Sequence, residues 1–518
     1  MGYDAVVIGA GHNGLVAAAY LAQGGWKVGV LEGREVLGGC SSTEELWPGF
    51  RVSPAAYVIS LFLPQIIDKL ELRRHGLEIL PRDPSSFTPL PDGRFLLLGH
   101  DGESNRESIA QFSERDADTY ARYEAFLTNV AERLESLLLE PPPSLPPRLR
   151  ETRTWWRYRR LLESLDSELP AIAELLTGAA TPILTRWFES EPLRGALATD
   201  AIIGAFAAPS APGTAYVLLH HVMGEAGGKR GVWGYVRGGM GTLAEALAGR
   251  CRELGVEIRT GARVARIETD PSGVTGVRLD SGETIATPRV ASSIDAHHTY
   301  LQLVEPDRLP SAFLSQIRSL DYSSASAKIN LALDALPDFE TGSVPREIAL
   351  RGTIHIAPNL EYIERAYDDA KYGHASQRPV LEITIPTTVD DTLAPPGKHL
   401  LSMFVQYVPY ELADGEWTDA RRDQLAKRCL NVIAEYAPNI RSIVRHTQVL
   451  TPIDLERIYG LKGGNIFQGA MHLHQLGPLR TPYRSPVDGL WLCGAATHPG
   501  GGVLGACGRN AALAMLKE

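Results

Sequence analysis

Three glycine clusters in this chain have the spacing to do chemistry. The first, Gly9-Ala-Gly11-His-Asn-Gly14, follows an apolar run and opens an alanine-rich segment. Glycines at this spacing have separate physical jobs. Gly9 permits a tight turn, Gly11 lets backbone approach a pyrophosphate, and Gly14 lets helix and strand pack closely. A helix starting there turns free N–H groups and a positive dipole end toward phosphate. Glu32, eighteen residues beyond Gly14, ends the next apolar run, where a carboxylate can accept hydrogen bonds from both ribose hydroxyls. Strand, turn, helix, strand and acid in succession form a dinucleotide fingerprint, which does not distinguish a nicotinamide cofactor from a flavin. A second glycine pair, Gly38 and Gly39, follows Arg34 and precedes Cys40, Ser41 and Ser42, whose hydroxyls are candidate donors. The third cluster runs from Gly494 to Gly502 and Val503, where a strand ends in a glycine-rich loop that starts a helix. Several backbone N–H groups then converge, which suits a place where negative charge develops.

Two side chains are candidates for catalysis. Lys328 lies in Ser326-Ala-Lys-Ile-Asn330, a strand-like run in which an ammonium is costly to bury without a partner. The competing reading is a lysine at a strand end reaching solvent. His498, in the third cluster, has an ordinary pKa in the useful range for proton transfer, or else simply shapes the loop before Pro499. His220-His221 and His472-Leu-His474 lack acidic or cysteine partners at ligand spacing, so no metal is expected. Adjacent histidines on a strand would also point to opposite faces.

The elements that must position these groups read as follows. Asp4–Ile8 and Lys27–Glu32 are parallel strands around a helix Leu15–Gln23. Residues 105–205 are helical, interrupted by the proline run Pro141–Pro147. Residues 256–300 alternate in short strands with turns at Asp270–Gly273 and Asp280–Gly282. Further strands, such as Lys328–Leu333 and Val380–Ile385, fill 320–450, and the tail from Gly489 is strand, loop and helix. Gly239-Met-Gly241-Thr-Leu-Ala244 also fits a dinucleotide pattern. The stretch before it, Gly231–Gly238, carries Arg237 and the glycines Gly231, Gly234 and Gly238 and does not read as a buried strand, so a second nucleotide domain is not expected.

Composition narrows the classes. A chain of 518 residues is too long for one hydrophobic core. Its 44% hydrophobic and 22% charged residues are those of an ordinary globular protein. The net charge of -10 supplies no basic field for nucleic acid, so no nucleic-acid partner is expected. Five scattered cysteines without a CxxC pair argue against a disulfide framework or structural zinc and for a reducing compartment. With the first strand at Tyr3, a cytoplasmic location is expected. The longest apolar stretch, Val52–Ile67, is broken by Pro54, Ser60 and Pro64 and is shorter than the ~20 residues a membrane span needs. One basic aromatic cluster, at 148–160, reads in two ways: peripheral docking on an anionic membrane surface, or a solvated helix face with its tryptophans in the core.

The second glycine pair resembles the second FAD signature of the amine oxidase and phytoene desaturase superfamily, with Cys40 where arginine is commoner. The Thr497-His-Pro-Gly-Gly-Gly502 form is similar to the phytoene desaturase-like branch. Gly38–Glu45, Trp47–Phe50 and Ser53–Tyr57 narrow it to the pyridine nucleotide-disulphide oxidoreductase domain-containing group, although a second dinucleotide domain and a CxxxxC pair are absent. The resemblance implies an α/β chain in which a Rossmann-like FAD-binding domain (1–75, 225–300 and 455–518) is interleaved with a mixed α+β substrate domain (76–224 and 301–454). It implies non-covalent FAD, with the backbone of Val264 at the adenine, the Gly494 loop at the flavin O2 side and Lys328 fixing a water at flavin N5. The implied reaction is hydride abstraction to N5 from a C–C or C–N bond of a small apolar substrate. Oxygen or a quinone would then be the acceptor. Gly500–Gly502 replace the aromatic residue that amine oxidases commonly place there. An amine oxidase-type enzyme, or a flavin-containing binding or scaffolding protein without turnover, are the alternatives.

Overall fold

Ala5–Ile8 and Val28–Leu31 are short, apolar and wholly buried, as central parallel strands must be. The computed structural model describes residues 2–142, 156, 159–160, 169–226 and 228–518. In it these strands form the middle of a five-stranded parallel sheet. The order is Glu257–Arg259, Val28–Leu31, Ala5–Ile8, Val290–Ser292, Leu490–Leu492. The sheet therefore collects strands from both ends and the middle of the chain. The first helix spans His12–Gln23, so it begins inside the glycine motif, with Gly11 as its N-cap. It packs on Gly241–Glu253 and on the last helix, Ala506–Met515. That second approach is very close: a Cβ on Gly508 would lie 2.0 Å from the carbonyl oxygen of Asn13.

Residues 264–286 form short strands as expected, Val264–Asp270, Gly273–Leu279 and Thr284–Ala286, and these pair antiparallel. The stretch before the second GxGxxA pattern differs from expectation. Gly234–Val236 is a buried strand, but it pairs antiparallel with Ile79–Pro81 and stands outside the parallel sheet. Gly241 packs on Thr43, whose amide nitrogen would be 2.7 Å from an added Cβ.

The second large element is a seven-stranded sheet. Its order is Val444–Leu450, Ser326–Leu333, His399–Gln406, Val380–Thr384, Thr353–Ile356, Ser86–Pro89, Phe95–Leu98. Alternation along each strand separates two faces. Ile329, Leu331, Ile354, Leu381, Ile383, Leu401 and Met403 belong to an apolar core completed by residues of the helix Asp419–Ala434. Full burial of each such side chain contributes about 1.5–3 kcal/mol, so the register is strongly specified and a one-residue slip is excluded. The same register sends Lys328, Asn330, His355, Glu382 and Ser402 to the opposite face.

Helices Gly102–Ala110, Glu114–Leu138, Leu169–Thr177, Ala180–Trp187 and Glu191–Thr199 lie in the expected helical block. The buried Asp116 carboxylate accepts from the amides of Glu189 and Ser190 and so fixes the approach to the Glu191 helix. His220 and His221 sit on a helix, Thr214–Val222, rather than on a strand. That helix is buried on nearly all sides, so its pattern carries no helical stripe. Of the basic aromatic cluster, only Trp156, Arg159 and Arg160 are among the described residues. Trp156 is exposed, with both guanidinium groups over its ring, and is not a core residue. Among the described residues no helix is long and apolar enough to cross a membrane.

Gly508→Ala must separate the first and last helices or distort both. Overpacking of this kind costs about 1–3 kcal/mol, so thermal melting should show a lower Tm than wild type.

Candidate active site

A cavity of about 800 Å3 runs from the glycine turn of the parallel sheet to the polar face of the seven-stranded sheet. Its first half is built by the sequence motifs. Gly9, Gly11, Glu32, Arg34, Gly38, Gly39, Val264, Gly502 and Val503 all line it. Glu32 accepts from the amides of Ala10 (2.8 Å) and Arg34 (2.9 Å), which holds its carboxylate at the wall. Arg34 is tied to Glu44 at 2.8 Å and stacks over Tyr459.

Three motif residues do not reach the cavity. Gly14 is a packing residue: an added Cβ would meet the carbonyl oxygen of Gly9 at 2.1 Å. Gly494 likewise lies against the Ser293 carbonyl, 2.2 Å from an added Cβ, so it holds the C-terminal loop to the neighbouring strand. Ser42 is buried and donates to Glu44 at 2.9 Å, so it braces Arg34 instead of offering its hydroxyl to a ligand. Cys40 does line the cavity, but burial pushes its thiol up to about 12, which keeps it protonated and unreactive at neutral pH.

The fit of a dinucleotide can be judged from what these residues leave open. A Cβ on Gly11 would meet nothing closer than the Gly38 carbonyl at 3.9 Å, so the space beside that backbone is free. Two buried wall atoms, His12 Nε2 and Arg34 Nη1, have no hydrogen-bond partner among the described residues. An open helix N-terminus, a fixed carboxylate and unpartnered donors are a set that FAD fits.

The second half of the cavity is set by strand register. Lys328 pairs with Phe404, Phe404 with Glu382, and Glu382 with His355. These four side chains form one rung across adjacent strands, and all line the cavity. Lys328 is buried. Its Nζ donates to Ser402 Oγ at 2.6 Å, Ser402 donates to Asn330 Oδ1 at 2.8 Å, and Nζ lies 3.4 Å from the Tyr57 ring centroid. The ring face favours an ammonium by about 2 kcal/mol, whereas burying an ion costs several. Burial wins, and the lysine pKa falls well below its ordinary value, with Glu382 opposing the shift. Glu382 is pushed up to about 8, chiefly by burial and then by the nearby Asp200. Burial lowers His355 to about 3, so its ring is neutral. Arg82, also in the wall, donates to the Trp233 carbonyl and to Thr353 Oγ1.

The remaining candidate histidines lie elsewhere or do other work. His498 is turned out of the cavity wall, with Nε2–H donating to the Leu137 carbonyl at 2.8 Å and burial lowering its pKa to about 4. Its geometry is that of a loop anchor. His220 reaches the wall, neutral by burial, with a pKa lowered to about 3. His472 and His474 stack on each other, and His472 lies 3.6 Å from Asp321. Among the described residues the one group with ligand atoms close together is Asp295, His297 and His298. There Asp295 already engages the amide and Nδ1 of His298.

Sequence reasoning missed Tyr57, Arg82, Asp200, His355, Glu382 and Ser402. Glu382 carried a usable signal, because a lone acid inside Val380-Leu-Glu-Ile-Thr384 is as anomalous as Lys328. The Val52–Ile67 stretch does reach the cavity through Ala55–Val58 and Leu61. The inner wall is nevertheless apolar only in part, since the rung places ionisable groups in it.

A glycine turn under a parallel sheet, joined to a strand-built pocket, is the architecture of an oxidoreductase that holds a dinucleotide beside its substrate. Residues 14–516 match the family described as flavin containing amine oxidoreductase, and the chain belongs to it. It is 44% identical to pyridine nucleotide-disulfide oxidoreductase domain-containing protein 2 of Rattus norvegicus, over 100% of this chain and 94% of that one. It is 25% identical to a lycopene-forming phytoene desaturase of a Paracoccus species, over 99% of this chain and 96% of the other. Among solved structures, a putrescine oxidase variant superposes with a TM-score of 0.63 at 17% identity, covering 99% of each chain. The cofactor of the family is FAD, and the protein is a flavoprotein oxidoreductase.

Gly11 has room for a side chain and an ordinary extended backbone (φ -66°, ψ 165°), so Gly11→Val should fold. Its side chain would project into the dinucleotide space, and the purified variant should be colourless with a wild-type circular dichroism spectrum. Full flavin content in that variant would place the cofactor elsewhere.

Proposed function

We propose that the protein is an FAD-dependent dehydrogenase or oxidase that takes hydride from a C–C or C–N bond of a largely apolar substrate. The observation that carries this reading is Lys328: a buried lysine, wired through Ser402 to Asn330, in the wall of the cavity that the dinucleotide motifs open. A residue needed only for folding has no reason to bear an amine there, since an apolar side chain of the same length would cost less. When bound, FAD supplies the hydride acceptor at flavin N5, with oxygen or a quinone taking the electrons onward.

The chain itself performs the rest. Tyr57, Leu218, Phe404 and Phe467 wall the cavity and exclude water, which strengthens every polar interaction inside it. Lys328, displaced by burial toward its neutral form, has N–H groups with which to hold a water and, in that neutral form, a lone pair to accept a proton. Ser402 and the Tyr57 ring fix its position. The similarity to a phytoene desaturase supports C–C chemistry. So does Gly502, which offers no aromatic ring and whose added Cβ would meet Leu61 and His220.

Lys328→Met keeps length and apolar stem, so folding and FAD content should survive. Loss of one positioned polar group in a closed site commonly costs ~10²–10³ in rate, and reoxidation of the photoreduced flavin in stopped flow should slow by that order. Equal rates in the two proteins would make Lys328 structural and favour a flavin-binding role without turnover.

A further inference from the structure

The rung continues past Lys328 to two polar groups that the proposed hydride chemistry does not use. Glu382 and His355 are directly paired on neighbouring strands, about 5 Å apart, and both line the cavity. Each is more than nine-tenths buried, yet Glu382 Oε1 and His355 Nδ1 have no hydrogen-bond partner among the described residues. A buried polar group without a partner is destabilising, and a fold retains two side by side when something else supplies the bonds. Lys328 stands two strand spacings from Glu382 along the same rung, about 10 Å, and three from His355.

We propose that Glu382 and His355 form the subsite that receives one uncharged hydroxyl group of an otherwise apolar substrate. The inference rests on the flavin-dependent reading above and names the substrate class for it. Charge decides against an ionic head group. The wall around the pair already holds basic and acidic groups in equal number, Arg82 and Lys328 against Asp200 and Glu382, and burial displaces one of each, Lys328 and Glu382, toward its neutral form. A charged ligand group would add an unmatched ion to a balanced, buried set. A hydroxyl both donates and accepts, so it can serve a carboxyl oxygen and a ring nitrogen at once. A pure hydrocarbon would leave both atoms unpartnered, and sites built for a hydroxyl discriminate strongly against analogues that lack one.

The test uses the FAD-loaded protein at neutral pH and four probes on one skeleton: cyclohexane, cyclohexanol, cyclohexanecarboxylate and cyclohexylammonium. Binding is read by perturbation of the flavin absorbance and, independently of the flavin, by the ligand-induced rise in Tm. Cyclohexanol should bind about tenfold tighter than cyclohexane and tighter than either charged probe. Glu382→Leu should remove that advantage while leaving cyclohexane's affinity unchanged, and His355→Phe gives the same reading if the first variant fails to fold. Equal affinities for cyclohexane and cyclohexanol would overturn the subsite and leave a water as its occupant. Tightest binding of the carboxylate or the ammonium would overturn it in favour of an ionic substrate. If probes raise Tm without touching the flavin spectrum, the flavin-side reading of the cavity fails instead.

Discussion

Burial of ionisable side chains on one face of a sheet is the constraint on which the rest of this molecule turns. Lys328, Glu382 and His355 occupy positions where water is scarce, and each is displaced toward its neutral form. Such a face is tolerable only if the opposite face is thoroughly apolar. The Ile, Leu and Met residues packed on the Asp419–Ala434 helix supply that. The apolar side thus sets the register, and the register delivers the polar rung. A change that loosened the packing on the hidden side would act on the cavity without touching it.

The other half of the cavity is held by close approach of backbone. Gly14 against Gly9, Gly494 against Ser293 and Gly508 against Asn13 bring the first helix, the central strands and the C-terminal loop together at distances that no Cβ permits. The two sheets have separate apolar cores, and the dinucleotide turn and the rung meet only across the cavity between them. Arg480 adds a further tie. It is buried and donates to the carbonyls of Phe467, Gln475 and Ala495, which fixes two cavity-forming loops against each other.

What the amino-acid sequence disclosed follows the same division. The glycine motifs are local: their spacing encodes a turn, a close approach and a helix start, so Gly9, Gly11, Gly38, Gly39 and Gly502 could be expected together before any coordinates, and all five line the cavity. Even so, the motif does not say which glycine faces the ligand, and Gly14 and Gly494 face protein. The rung is non-local. Lys328, His355 and Glu382 meet only through strand pairings between distant segments, and nothing in their spacing shows it. Lys328 stood out as a charge in an apolar strand; Glu382 had the same mark. His498 was suggestive because of its motif, but a motif does not give the direction of a side chain, and the Leu137 carbonyl takes it away from the cavity.

A crystal structure of the FAD-loaded protein tests the central claim most directly, that one cavity joins the glycine turn to the polar rung. The account predicts the isoalloxazine ring between the Gly502–Val503 loop and Lys328, with Nζ in direct contact or within reach of a single bridging water, about 5–6 Å. A ring seated elsewhere, with Lys328 and Glu382 walled off from it by protein, would contradict the account.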